Sequence, residues 1–392
     1  MHDGGYVLKK LVGTIVLWSL VAASAALADN TVFDFYGYIK ADAIYDFKRM
    51  DPDWNSTMRP SQILIPREEG PYFEDGEFIL NIRATRLGVD VFHHRGEDSI
   101  RGKLEIDFYG TGSQPSQLVP RLRHAHIVYG DFIIGQAWSL YCDPEAFPVT
   151  LDFWGPNGLN ASRRPQLRWT FSNSEAHMAA VALENHGAGL DEGKSPSIDP
   201  NYATTDRNLL PDLTSTYRLG GKWGYLRLAG VLRRVGYERT DVAGKEHSDH
   251  KTGWGGYLTG RFNVQDRNAL QFAVQYGEAV ANYINDGGSD LTGNDDGTGS
   301  EVLPLFSWHL SYQIWWADGW STSLGYSEVE QDNTAYQEDD AFHRGRYGYA
   351  NLIRHPRDRI HYGLEFLYGN LEERDGLQGE DYRIQLSMKF EF

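Results

Sequence analysis

The chain ends on Tyr382-Arg-Ile-Gln-Leu-Ser-Met-Lys-Phe-Glu-Phe392, where apolar and polar residues alternate without a break. A period of two belongs to an extended strand, whose successive side chains point to opposite faces. The pattern predicts a strand with Tyr382, Ile384, Leu386, Met388, Phe390 and Phe392 on one face. Arg383, Gln385, Ser387, Lys389 and Glu391 fall on the other. A soluble sandwich tolerates one such strand. Many of them, aromatic on one face and charged on the other, predict lipid outside and water inside a closed cylinder.

The pattern recurs along the chain. Phe35, Ile39, Ala41 and Tyr45 share a phase. Phe78, Leu80, Ile82 and Ala84 share another, which reverses at Leu87, Val89 and Val91; the slip near Arg86 predicts a bulge. Ile100, Gly102, Leu104, Ile106 and Phe108 oppose Arg101, Lys103, Glu105 and Asp107. No dry core buries four successive charges on one face, whereas a water-lined face carries them. Further alternating stretches run through residues 121–140, 166–185, 214–235, 254–276, 306–326 and 346–368. The tally is sixteen strands joined by seven short turns and eight long loops, the layout of a membrane barrel. The expected fold is all-β, a sixteen-stranded antiparallel transmembrane β-barrel wide enough for an aqueous channel. No long segment shows an apolar period of 3.6 residues.

The other end of the chain reads differently. Lys9 and Lys10 precede an apolar run from Leu11 to about Ala23, and Ala26-Leu27-Ala28 fits a small-x-small cleavage pattern. Residues 1–28 are therefore expected to be a removable secretory signal, leaving a barrel over 29–392. The 392 residues carry a formal charge of -17. Loss of Asp3, Lys9 and Lys10 leaves the remainder more acidic still, which argues against a nucleic-acid partner. The single cysteine, Cys142, excludes an internal disulfide and a cysteine-based metal site. A mean hydropathy of -0.49 looks soluble, but only half of each barrel strand meets lipid. No metal or cofactor is expected: Asn294-Asp-Asp-Gly297 lacks the ligand spacing of a calcium loop. The acidic stretches 286–301, 328–340 and 372–381 read as solvated external loops.

One loop departs from the polar norm. Residues 141–165 carry Pro144, Pro148, Pro156 and Pro165 together with Phe147, Leu151, Phe153 and Trp154. Such a loop, the third, is expected to fold inward and narrow the lumen. Its acids Asp143, Glu145 and Asp152 would then project into the pore. Against them stand inward-phase bases: Arg83, Arg101, Lys103, Arg121, Arg123 and Arg168. Acid on one wall and base on the other would set a transverse field across the constriction, and a ladder of Arg and Lys favours anions. The planar guanidinium also grips a carboxylate in two places.

Six motifs taken in order resemble the DcaP-like porins of Gram-negative outer membranes. They are Gly37-Tyr-Ile-Lys-Ala-Asp42, Thr85-Arg-Leu-Gly88, Arg101 to Gly110, Arg121-Leu-Arg-His-Ala125, Gly135-Gln-Ala-Trp-Ser139 and Asp152-Phe-Trp-Gly-Pro-Asn-Gly158. The resemblance is densest over residues 33–172. It implies a homotrimeric sixteen-stranded diffusion channel for small hydrophilic solutes, with small organic anions such as dicarboxylates favoured. The helical periplasmic extension of some members is not expected, because the first strand begins almost at the cleavage site. Two other readings stay open: a non-selective or cation-preferring porin, and an outer-membrane lipid hydrolase. The hydrolase would use His124 and His126, which alternation places facing outward, but no serine stands at a suitable place. An energy-coupled receptor needs a plug domain that this length does not accommodate.

Overall fold

The computed structural model describes residues 30–65, 76–95, 98–110, 118–185, 187–194, 205–207, 209–240, 244–265, 267–294, 299–317 and 319–392. The expected signal, residues 1–28, lies outside them, as do residues 295–298. Sixteen strands among the described residues form one antiparallel barrel. They are β1 (Thr31–Asp46), β2 in two pieces (Glu77–Asn81 and Arg86–Arg95), β3 (Asp98–Asp107) and β4 (Arg121–Tyr129). Then come β5 (Phe132–Trp138), β6 (Arg163–Asn173), β7 (His177–Glu184) and β8 (Asp212–Gly221). The second half holds β9 (Gly224–Thr240), β10 (Glu246–Asn263), β11 (Ala269–Glu278) and β12 (Pro304–Ala317). It ends with β13 (Trp320–Gln331), β14 (Phe342–Arg357), β15 (Ile360–Glu373) and β16 (Gln378–Glu391). Each strand pairs with its neighbour in sequence, and β16 returns to β1 through Arg383 opposite Asp46 to Glu391 opposite Tyr38. That last pairing removes both edges.

The faces follow the alternation. In β16, Leu386 is 55% exposed and Arg383 is 0% exposed. Phe35, Leu80, Leu104, Ile134, Leu228 and Leu364 are likewise exposed, while Asp42, Glu105, Gln275, Ser307 and Glu365 are buried. The apolar residues face out and the polar ones face in. From Tyr382 to Phe392 the outward face runs about 33 Å along the strand at ~3.3 Å per residue. At a tilt of about 40° this spans roughly 25 Å, the height of an apolar membrane band. Aromatic pairs mark both ends: Trp308–Tyr326 and Tyr368–Tyr382 on one side, Phe132–Trp169 and Trp223–Phe262 on the other. No helix among the described residues is long and apolar enough to cross a membrane.

Two register irregularities decide where charges go. Between the pairs Asn81–Asp42 and Arg86–Tyr38, β2 passes residues 82–85 against 39–41 of β1. The extra residue reverses the phase, so Phe78, Leu80, Ile82 and Leu87 all lie exposed outside. Gly37 sits at this slip; a Cβ there would stand 2.3 Å from the carbonyl oxygen of Arg86. In β4 the register shifts between Glu105–His124 and Ile106–Leu122, leaving Arg123 as the inserted residue. Arg121, Arg123 and His124 therefore all reach the inner side. His126 stands opposite inward-facing Lys103, so the outward placement expected for this histidine pair does not hold.

Two connections expected to be long are short. The 241–245 and 374–377 links are brief because β9, β10, β15 and β16 continue well beyond the apolar band. Their ends, with those of β13 and β14, absorb part of the acidic stretches. Glu328 and Glu330 of β13 and Glu372 of β15 pair with Arg344 and Arg346 of β14 at 2.6–3.4 Å. Asp286 holds Arg59 and Ser61, and Asp290 is buried against Arg233. These acids are structural partners, not solvated loop charges.

Candidate pore and basic cavity

Residues of three connecting segments pack against side chains of the strands. Met50, Met58 and Ile63 cluster with Tyr347, Tyr349, Leu367 and Leu371. Tyr141, Leu159, Val280, Tyr283 and Ile284 cluster with Ala229, Val231, Tyr257 and Ala273. The segment 141–165 hydrogen-bonds to inward-phase side chains on many strands. Its Leu151 and Asp152 N–H groups donate to Glu365 of β15 at 2.9 and 2.6 Å. Lys40 of β1 and Gln385 of β16 donate to the Leu151 carbonyl, and Asn351 of β14 donates to that of Val149. Gly158 N–H donates to Ser327 of β13, and Ser307 of β12 donates to the Gly158 carbonyl. Gln271 of β11 donates to the Phe147 carbonyl. A loop with four prolines has few internal bonds to offer, so its backbone groups are satisfied by the wall.

A cavity of about 480 Å³ remains between this segment and the wall of β1, β2, β4 to β6 and β14 to β16. Its basic lining comprises Lys40, Arg86, Arg121, Arg123, Arg163 and Lys389, with His355 and His361. Arg121 grips Asp107 with two bonds of 2.9 and 2.7 Å. Arg123 reaches Glu105 at 2.7 Å and Asp107 at 2.8 Å. Arg86 lies 3.6 Å from Glu105. Arg163 rests on the Trp138 ring at 4.5 Å and has no carboxylate partner among the described residues. Three guanidiniums thus share two carboxylates, and a fourth stands beside them unpaired with either. Lys40 and Lys389 are balanced by Asp42 and Glu391, each at 2.6 Å. Phe153 and Trp154 stand 5.7 and 5.8 Å from the Arg121 guanidinium, so the basic patch is walled by rings.

The residues expected to form the site divide. Arg121, Arg123 and Asp152 line the cavity. Arg83 instead reaches Ser56 at 3.2 Å and lies over the Tyr109 ring. Arg101 and Lys103 pair with Asp90. Arg168 bonds Gln166 and the Trp138 carbonyl. The three acids do not face the basic wall. Asp143 is buried, pairs with Arg227 at 3.2 Å and accepts from Tyr225, Thr259 and the Glu145 N–H. Glu145 is exposed and pairs with Arg218 at 3.2 Å. Asp152 lines the cavity but is 2% exposed, accepting from Met58 N–H, Gly155 N–H and the Tyr347 hydroxyl. Burial raises its carboxyl above the usual range. Backbone N–H groups in and beside the loop need acceptors, and Asp143 and Asp152 supply them. The segment turns aromatic rings and backbone, not an acidic face, toward the arginines.

The expected site did not include Lys40, Arg86, Arg163, His355, His361 or Lys389. Lys40 and Lys389 are directly opposite across the closing pair, a contact that follows once β1 and β16 are recognised as neighbours.

A family model for the DcaP outer membrane protein matches residues 21–392. The chain belongs to the DcaP outer membrane protein family. Among solved structures it is similar to the outer membrane channel DcaP of Acinetobacter baumannii: 22% identity, TM-score 0.76, 93% of this chain and 98% of that one. An anion-selective porin from Comamonas acidovorans shares the fold at 10% identity and TM-score 0.55, over 92% of this chain and 100% of that one. Salmonella typhi OmpF does so at 11% identity and TM-score 0.53, over 93% and 98%. No curated protein matches the chain. This DcaP family member is a protein of the Gram-negative outer membrane, and the inward turn of His124 and His126 leaves the hydrolase reading without its rim histidines.

Proposed function

We propose that the channel passes small organic anions, dicarboxylates among them, and that the cavity beside β2 to β6 is where they are selected. The observation that carries this reading is the charge count: four guanidiniums and two carboxylates stand around a cavity of about 480 Å³. Paired forks suit a ligand with two carboxylates. Selection is passive, a bias on diffusion rather than a reaction. In this reading residues 141–165 fold into the lumen and form its constriction. The bonds from that segment to inward-phase side chains of β11 to β16 and β1 support it. Residues 1–28 are the export signal.

The working particle is taken to be a homotrimer. V. cholerae OmpT, a fold neighbour at 11% identity, is known in a trimer form. The wall itself supports a partner: β5 has seven residues, about 23 Å of strand and ~18 Å of height at a 40° tilt. That is lower than the band a lipid-facing wall needs. Reversal potentials in planar bilayers across a KCl gradient test the selectivity. Anion preference is expected; a clear cation preference refutes it.

A further inference from the structure

The short-turn end of the cavity carries two histidines outside the charge count above. His355 of β14 and His361 of β15 flank the 358–359 turn, and both line the cavity. Their Nδ1 atoms are 2.6 Å apart and their rings meet at 71°. A separation that short holds one proton between the two nitrogens, one donating and the other accepting. Beyond the pair, His355 Nε2 lies 2.8 Å from Ser321 Oγ, and His361 Nε2 lies 3.5 Å from Glu391 Oε2.

These contacts set how many protons the pair takes. Two neutral rings carry two protons, with the Ser321 hydroxyl donating to His355 Nε2. A third proton fits in place: His355 Nε2–H donates to Ser321, one proton stays between the rings, and His361 Nε2–H points at Glu391. A fourth would set two N–H groups face to face and force the rings apart. The pair therefore takes up one further proton and no more. The charges around it are Arg267 from the 264–268 turn, stacked on Trp315 beside His355, Arg354 on β14, and Lys389 and Glu391 of β16. Glu391 is the one carboxylate among these and is shared with Lys389.

We propose that the His355–His361 pair is a proton-set specificity determinant: uptake of a proton adds a positive charge to the cavity and sharpens its preference for anions. This rests on the anion reading above. Arg267, Arg354 and Lys389 oppose the added charge and Glu391 favours it, so the uptake is read on acidification. One added charge within a Debye length of the path is expected to raise the chloride-to-potassium permeability ratio about two- to fivefold between roughly pH 7.5 and pH 5.

The test is the reversal potential of the full-length channel in planar bilayers at both pH values, for the natural sequence and for His355→Gln/His361→Gln. The natural channel should gain anion preference on acidification and the double variant should not. His355→Asn/His361→Asn also removes both imidazoles and is the arm to read where the glutamine variant fails to fold; it too should lose the gain. Anion preference independent of pH overturns the pair and leaves the anion reading standing. A gain that survives in the variants also overturns it. Cation preference at both pH values overturns the anion reading itself.

Discussion

Replacing Arg163 by glutamine is the sharpest probe of the charge count. Arg86, Arg121 and Arg123 share Glu105 and Asp107 and Arg163 pairs with neither, which leaves two positive charges uncompensated. Arg163→Gln removes one of them without taking a partner from any carboxylate. A unit charge pair at ~4 Å is worth about 1 kcal/mol in bulk water and about 4 kcal/mol at an effective dielectric of 20. A wet cavity lies toward the lower end, so about 1–2 kcal/mol is expected, roughly a five- to thirtyfold weaker hold on a dicarboxylate. The assay is the concentration of succinate that half-blocks single-channel current at about 0.1 M salt. The difference should shrink near 1 M, where the Debye length falls to ~3 Å. Arg163→Lys keeps the charge but loses the planar stack on Trp138 and should lie between. Arg168→Gln is the control, because Arg168 bonds Gln166 and the Trp138 carbonyl and does not itself line the cavity. Unchanged block in Arg163→Gln, with a loss in Arg168→Gln, would refute the placement of the selective charges.

Two further outcomes concern the 141–165 segment. Asp143→Ala leaves Arg227 buried and unpaired at the root of the segment. It should cost about 3–5 kcal/mol, seen as a lower thermal unfolding midpoint and noisier open-channel current; a quiet, fully stable variant would show that the pair does not hold the segment. Asp152 has its carboxyl raised, chiefly by burial. The folded state therefore binds its proton more tightly than the unfolded chain does, whose carboxyl titrates near ~3.9. The stability contributed is complete below that value and is lost as pH rises through the folded one. Melting midpoints should fall over that window, and Asp152→Asn should flatten the dependence; an equal slope in both proteins would remove Asp152 as its source.

The fold was legible because alternation has no competitor in a barrel: every strand must show lipid one face and water the other. Leu386 and Arg383 illustrate it. The reading failed where that demand ends. Above the apolar band both faces are polar, so the tops of β13 to β16, with Glu328, Glu330 and Arg344, read as loop. In the cavity, phase told the side but not the depth. Arg121 and Arg168 are both inward, yet one lines the cavity and the other braces a carbonyl. Arg86 was hidden by the slip at which it sits, and Arg163 by its place at the end of a proline-rich loop. His355, His361 and Lys389 lie far along the chain from Arg123 and meet it only because the barrel closes. The acids of the 141–165 segment misled for a different reason. In a buried loop a carboxylate is worth more as an acceptor for backbone N–H groups than as a pore charge.

Thiol labelling on the last strand tests the central claim, that conduction runs through the basic cavity inside an inverted barrel. Lys389 lines the cavity and Met388, its neighbour, is exposed outside, while the natural Cys142 is buried and bonded to the Asn160 carbonyl. A charged, water-soluble methanethiosulfonate added to Lys389→Cys should cut single-channel current, and Met388→Cys should be indifferent to it. Block at Met388→Cys with none at Lys389→Cys would contradict the account.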